Sequence, residues 1–579
     1  MQSKYYFLAV CLLVCITGCD YLDTKVDTGV TQENLDSDYS RLQQLGYTPY
    51  TYLGHGFNML DQNITAAITD EAEQTWPSSQ AQFYNDGSWS RYVNYLDTYS
   101  HNYGGIRAAN FFLDYSADYK SKLALNRDTI TSGSVGYWRD VENIEWMRAE
   151  ANILLGWFYF DLIKRYGGVP LVEKVMNIND ETNIPRSNFE KIVKFIVSKI
   201  DNNKDMLQGN WSGGGGTIGR DASRDGRITL GAALALKSRV LLYAASPLYN
   251  ENNSIEKWRD AAKAANDVIR LKKWTYPSDI IRPVPPTITD LPAYKLHNDY
   301  RNLFLEANSV LNEEVIWAYR LGATNQMEML NYPIGTPGGQ SGVTPSHNLV
   351  STYEYTGDPD PENPYANRDP RLGYSIVTNN STWNGRTIET WKGGTDSWDK
   401  SNTSRTGYYL KKFLIENLDI THDATRNRNW IIFRYAEILL NYAEAMNEAY
   451  GPDSDPLQYG MTAREAINMV RNRPSVEMPP VNVPLGNQDE MREKIKHERK
   501  IELAFEDHRY WDLRRWKDGE ELSKPLLGVR ATRIDEGVFS YTEINVEDRV
   551  FDIPKMYYFP FPDAEIRKSN GILTQNPGW

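Results

Sequence analysis

The chain has 579 residues and a net charge of −13, long enough for a large core or two lobes and too acidic to offer nucleic-acid phosphates a basic face. Its three cysteines, Cys11, Cys15 and Cys19, all lie near the N-terminal end, which excludes later disulfides, thiol chemistry and a cysteine zinc site. Aromatic residues make up 12% of the chain, with 38 Tyr and 16 Trp. Most of these rings are expected to fill gaps between irregular helices, and the remainder to meet a ligand or partner.

Residues 1–18 read as a signal peptide: Lys4 supplies the positive end, and Phe7 to Ile16 is an apolar run too short for the roughly 20 residues that span a bilayer. Ile16-Thr17-Gly18-Cys19 resembles the bacterial lipobox, which makes Cys19 the expected lipid-attachment site and first mature residue. Asp20, Asp23 and Asp27 follow, resembling the early acidic signal that sends Bacteroidetes lipoproteins to the cell surface. Later segments lack a run of about 18 apolar residues, so the lipid is the expected membrane anchor.

Ser37 to Leu53 reads as a first helix, Asp70 to Trp89 as a polar, aromatic loop, and Ile106, Ala109, Asn110 and Leu113 as one face of a second helix. The organising helix runs from Glu142 to Tyr166, where Ile144, Met147, Ala151, Leu154, Leu155 and Phe158 keep i, i+3, i+4 spacing. Ala149, Ala151 and Gly156 would let a neighbouring helix approach, and Gly167, Gly168 and Pro170 end the run. A capping box at Ser187 and Glu190 opens the next helix, which buries Phe189, Ile192, Val193, Ile196 and Ile200. After a glycine-rich loop from Trp211 to Arg220, the helix Leu230 to Ala245 should pair with one carrying Trp258, Ala261, Ala262, Ala265, Val268 and Ile269. Arg434 to Ala443 echoes Arg148 to Leu155. Recurring small-and-leucine helices of this kind predict a mostly α fold with helix-pair packing of the tetratricopeptide kind, an interrupted solenoid rather than a tandem array.

Between Pro277 and Pro370 lie 12 of the 28 prolines, which predicts a loop-rich lobe with a short strand at Glu314 to Arg320. Helices return from Trp430, with a second capping box at Thr462 and Glu465 and a final helical region from Arg499 to Trp516. The alternating charges from Arg492 to Arg515 read as a salt-bridged helix face, and Tyr557 to Phe561 as a short strand. The expected divisions are 1–18, 19–276, 277–429 and 430–579.

Motifs for other chemistry fail on spacing. Gly214 to Gly219 spells G-x-G-x-x-G but lacks the preceding strand and following helix that dinucleotide binding needs. Asp221 to Gly226 resembles half a calcium loop, yet its twelfth position is Ala232 rather than a bidentate glutamate. His497 and Glu498 start HERK, not the H-E-x-x-H zinc helix, and acid pairs such as Asp70 and Glu71 are too common among 76 acids to imply a glycosidase. No catalytic residue, metal or cofactor is therefore expected.

WFYFDLIKRYGGVPL, GRITLGAALALKSRVLLYAASPLYN, RKIELAFEDHRYWDLRRW and the terminal LTQNPGW, in this order, resemble the SusD/RagB family of Bacteroidetes surface lipoproteins along the whole chain from Cys19 to Trp579. The resemblance implies a mostly α-helical fold, a scaffold of about four tetratricopeptide-like helix pairs with an irregular lobe carrying the ligand site. It also implies a SusC-like, TonB-dependent outer-membrane transporter as partner, receiving captured oligosaccharide. A site for sugars needs an exposed ring beside amides or carboxylates. The family's loop between early helices points to Trp76, Tyr84, Asn85 and Trp89, and the segment after EVIWAYR to Tyr332, Gln340, His347 and Asn348. Trp383, Trp391 and Trp398 form a further cluster that faces solvent or the transporter. The expectation is a cell-surface, lipid-anchored glycan-binding protein without enzymatic activity; peptide capture and a purely structural lid on the transporter are its rivals.

Overall fold

The computed structural model describes residues 38–125, 127–176, 184–209, 211, 225–275, 287–305 and 312–579. The signal segment, Cys19, the Gly214 to Gly219 motif and most of the Asp221 to Gly226 motif lie outside these. The Asp38 side chain accepts the Ser40 N–H and opens helix α1 (Tyr39–Tyr47), which tightens into a 3₁₀ turn over Thr48–Tyr52. Helix α2 (Tyr99–Tyr115) then packs against α3 (Val135–Tyr166), which starts seven residues before the predicted Glu142. Ile144, Met147, Ala151, Leu154, Leu155 and Phe158 are each at most 1% exposed, so the spacing places them in the core. Gly167 takes φ +70° and returns its N–H to Ile163 O, ending α3 where glycine's freedom is needed.

Helix α4 (Phe189–Asn203) lies along α3, and α5 (Leu230–Ala245) pairs with α6 (Ile255–Ile269). At Gly156 a Cβ would sit 3.2 Å from Ile196 Cγ2 and 3.6 Å from Leu236 Cδ2, so this glycine sets how closely α3 approaches both neighbours. The cap of α4 is Asn188, whose side chain accepts the Lys191 N–H at 2.8 Å, not the predicted Ser187–Glu190 box. Ser187 is held in a two-residue ladder opposite Val169, which moves the cap one residue on. Helix α7 (Tyr435–Tyr450) packs on α6 and on α8 (Ala463–Arg471) and α9 (Gln488–Glu502). Thr462 and Glu465 form the predicted capping box of α8. Helix α10 (Arg509–Trp516) completes the scaffold.

The charged run of α9 and α10 turns inward. Glu498, Arg499, Glu502, Arg509, Asp512, Arg514 and Arg515 are all buried, so the salt-bridged face read from the alternating signs lies in the interior. Glu502 accepts from Arg434 at 2.7 Å, Arg473 at 2.8 Å and Arg371 at 2.9 Å. Arg515 clasps Glu444 through both terminal nitrogens, at 2.5 and 2.7 Å, and gives Nε to Asp512. Burial works against the Glu502 carboxylate, but Arg473, Arg434 and Arg371 hold it ionised well below the usual carboxylate range. Arg371, Arg434 and Arg473 come from three separate segments, so one carboxylate ties α9 to both the loop region and the helical scaffold.

Among the described residues from 287 to 434, the longest helix is Gln326–Asn331. Strand β1 (Ala72–Gln74) pairs antiparallel with β3 (Val343–Pro345), and β2 (Val315–Thr324) with β4 (Arg426–Arg434). A hairpin of β5 (Leu526–Asp535) and β6 (Val538–Glu547) projects beside this region; nothing in the sequence reading marked it. Tyr557, read as opening a short strand, ends a 3₁₀ turn instead. Among the described residues no helix is long and apolar enough to cross a membrane.

Candidate functional site

The ladder between β1 and β3 joins two segments some 270 residues apart, with Ala72 opposite Pro345 and Gln74 opposite Val343. Beyond it, Thr75 N–H donates to Gly342 O at 2.9 Å and its hydroxyl to Ser341 O at 2.8 Å. Paired amides of Asn63 and Asn331, at 2.8 and 3.2 Å, brace the junction from below. The result sets the indole of Trp76 against the 332–348 segment, its N–H donating to Gln340 O at 3.3 Å. Trp76 stays half-buried and Gln340 exposed.

A chain of contacts extends from this point along the β5–β6 hairpin. Glu73 of β1 accepts from Arg405, Arg405 O accepts from Arg530 Nη1 at 2.7 Å, and the Arg530 guanidinium lies 4.6 Å from the centre of the Trp398 ring. Arg533 stands 5.7 Å from Trp391, which contacts Phe539 at 5.0 Å. Trp391 and Trp398 are half-buried, and the Arg405 side chain is 43% exposed. Contacts thus lead from β1, two residues before Trp76, through Arg405 and Arg530 to Trp398. Arg405, Arg530 and Arg533 were missed by sequence reasoning, since an isolated arginine in a loop or hairpin carries no pattern.

Other expected site residues are part of the fold. Tyr84, Asn85, Trp89 and Tyr332 are at most 6% exposed, which corrects their reading as surface groups. Tyr84 donates to Asn94 Oδ1 and accepts the Leu96 N–H, each at 2.7 Å, and packs on Trp89 at 5.2 Å. Trp89 meets Phe559 at 5.0 Å and Trp579 at 4.5 Å, so the chain's last residue covers it. Asn85 gives its amide to Ala67 O, and Tyr332 gives its hydroxyl to Ile415 O. Trp383 is fully buried against Tyr332, unlike Trp391 and Trp398.

His347 is half-buried, stacked 6.1 Å from Tyr408 and hydrogen-bonded to its hydroxyl at 2.9 Å. Burial lowers its pKa, so the ring is neutral at pH 7. Asn348 donates to Pro525 O and accepts the Leu527 N–H at 2.7 Å, which pins the root of the hairpin. Both side chains support the site's frame.

The carboxylates beneath the site are buried as well. Asp70 is held by Arg509, at 2.8 and 2.9 Å, and by Lys500 at 2.9 Å, which leaves it no part in a surface acid pair with Glu71. Burial, with Asp70 next to it, pushes the Glu71 pKa up to about 8. Burial likewise pushes Glu73 up to about 7 against the pull of Arg405, and its Oε2 has no hydrogen-bond partner. Among the described residues no three His, Cys, Asp or Glu side chains are grouped to hold a metal ion.

Two family models match the chain: the SusD family over residues 313–579, and a family described as starch-binding and associating with the outer membrane over residues 20–242. A SusD-like protein, P2, of Formosa agariphila is 35% identical over 152 residues, an alignment that spans 26% of this chain and only 26% of that relative's length. Among solved structures, a SusD-like protein of Bacteroides fragilis superposes with a TM-score of 0.73 at 24% identity, covering 95% of this chain and 99% of that one. A SusD-like carbohydrate binding protein of the same species gives 0.70 at 23% identity, covering 93% and 99%. With motifs, helix-pair scaffold and both family models in agreement, the chain belongs to the SusD/RagB family.

Proposed function

We propose that this protein captures glycan at the cell surface and delivers it to a SusC-like, TonB-dependent outer-membrane transporter, held to the membrane by acylated Cys19. The row of half-buried indoles Trp76, Trp398 and Trp391, flanked by Gln340 and Arg405, carries the reading. Flat C–H faces of a sugar pack on such rings, and its hydroxyls find donors and acceptors on the amide, the guanidiniums and the backbone. A family model described as starch-binding and a structural neighbour described as carbohydrate binding support the ligand class. On this reading the protein binds without breaking bonds; Asp70, Glu71 and Glu73, the carboxylates beneath Trp76, are buried.

A retention screen of the chain beginning at Asp20, which keeps every described residue, on plant, host and microbial polysaccharides tests this. Retention on at least one glycan, without release of reducing sugar, is expected. No retention on any of them, or measurable hydrolysis by pure protein, overturns the proposal.

A further inference from the structure

Apart from Trp76, Trp391 and Trp398, none of which lines it, lies a cavity of about 120 Å³ where the start of α2, the C-terminal third of α3, α5, β4 and the turn between α9 and α10 converge. Trp157 of α3 and Trp430 of β4 are among its lining residues, and the exposed residues Gly54 and His101 mark its mouth. A single water needs about 10–15 Å³ on this measure, so the space suits a molecule of roughly ten heavy atoms and excludes a chain.

The lining is charge-balanced: Asp161, Glu506 and Asp507 against Lys164, Arg165 and Arg239. Most of this charge is already spent within the protein. Glu506 binds Arg434 and Lys412, and Asp161 serves Arg165, Lys164 and Asn102. Some capacity remains. Arg239 commits Nε and Nη2 to Glu437 and Ile432 O, which leaves Nη1 to donate, and Asp507 accepts the Thr65 hydroxyl on one oxygen, which leaves the other to accept. Asp507 reaches this place through backbone that non-glycine residues seldom adopt, with φ +62° there and +68° at Phe505. Such conformations concentrate at binding sites.

We propose that this cavity is a second binding site, for a single neutral sugar ring. A net charge on the ligand would have no counter-charge in a balanced lining. A sugar hydroxyl, which both donates and accepts, fits between the Asp507 oxygen and the Arg239 nitrogen, while the ring's apolar face meets indole. The inference shares its ligand class with the surface reading but not its site.

Saturation-transfer NMR with glucose, galactose, mannose and xylose, each alone, tests it. A Cβ at Gly54 meets nothing within 4 Å, so the backbone there accepts a side chain and Gly54→Phe adds a ring beside the cavity's lining. Asp507→Asn removes the charge and keeps a residue that tolerates the left-handed turn. At least one sugar should show transfer from wild type and from Trp76→Ala, reduced at least fivefold in Gly54→Phe and in Asp507→Asn. Absence of transfer from all four sugars, persistence in Gly54→Phe, or loss in Trp76→Ala overturns the proposal. Failure of the surface reading shows separately, as polysaccharide retention that Trp76→Ala leaves unchanged.

Discussion

Trp76 and Trp89 stand 13 positions apart in one loop and have opposite fates. Trp76 anchors one edge on Gln340 O and keeps surface exposed, whereas Trp89 is 3% exposed under Trp579. Trp89→Ala should therefore cost about 3–5 kcal/mol of stability while the folded fraction binds glycan as wild type does, read by denaturant unfolding beside retention. Glu71 gives a pH signature. Its pKa rises from 4.5 in the unfolded chain to about 8 in the fold, so the native state binds the proton more tightly. The associated stability is complete below the unfolded value and fades as pH climbs through 8. Glu71→Gln should flatten that decline, by on the order of 1–3 kcal/mol between pH 5 and 9, in melts across that range. An unchanged slope contradicts the assignment. The composition of the 70–89 loop pointed to rings but not to which of them face solvent, because the tail that covers Trp89 arrives almost 500 residues later.

Elements read well where a period repeats and poorly where it does not. The α3 pattern named its buried face residue by residue, and Thr462 with Glu465 named a cap that the fold uses. Thr462→Ala should cost about 1 kcal/mol, and Asn188→Ala a similar amount, whereas Ser187→Ala should stay within about 0.5 kcal/mol. Equal losses at positions 187 and 188 would restore the predicted box. The three-residue strands β1 and β3 were illegible, since pairs so short and so far apart have no signal before the fold brings them together. Alternating charges in α9 were visible, but alternation does not tell water from arginine. Only the arrival of Arg371, Arg434 and Arg473 makes Glu502 a buried hub. Glu502→Ala should take one buried carboxylate from each of those cations, leaving Arg371 with Asp369 and Glu498, Arg434 with Glu314 and Glu506, and Arg473 with Glu314, and cost about 3–5 kcal/mol, measured by urea unfolding; a loss under 1 kcal/mol contradicts the hub.

On the scale of the whole molecule, the scaffold of helix pairs holds an irregular region that carries the half-buried indoles Trp76, Trp391 and Trp398. The proposed function divides the work: the ion-pair hub and the aromatic tail keep the loops in register, and the half-buried rings are assigned to the ligand. Delivery to a transporter predicts that the full-length lipoprotein co-purifies from outer membranes with a SusC-like channel, and that loss of Cys19 releases it from the membrane. The central claim is that the row on the loop-rich side is the glycan site. It is tested most directly by affinity electrophoresis on the retained polysaccharide, comparing wild type with Trp76→Ala and Trp398→Ala. Each substitution should weaken retention at least tenfold, about 1.4 kcal/mol, with an unchanged melting curve. Wild-type retention in both variants would place the glycan elsewhere on the molecule and contradict the account.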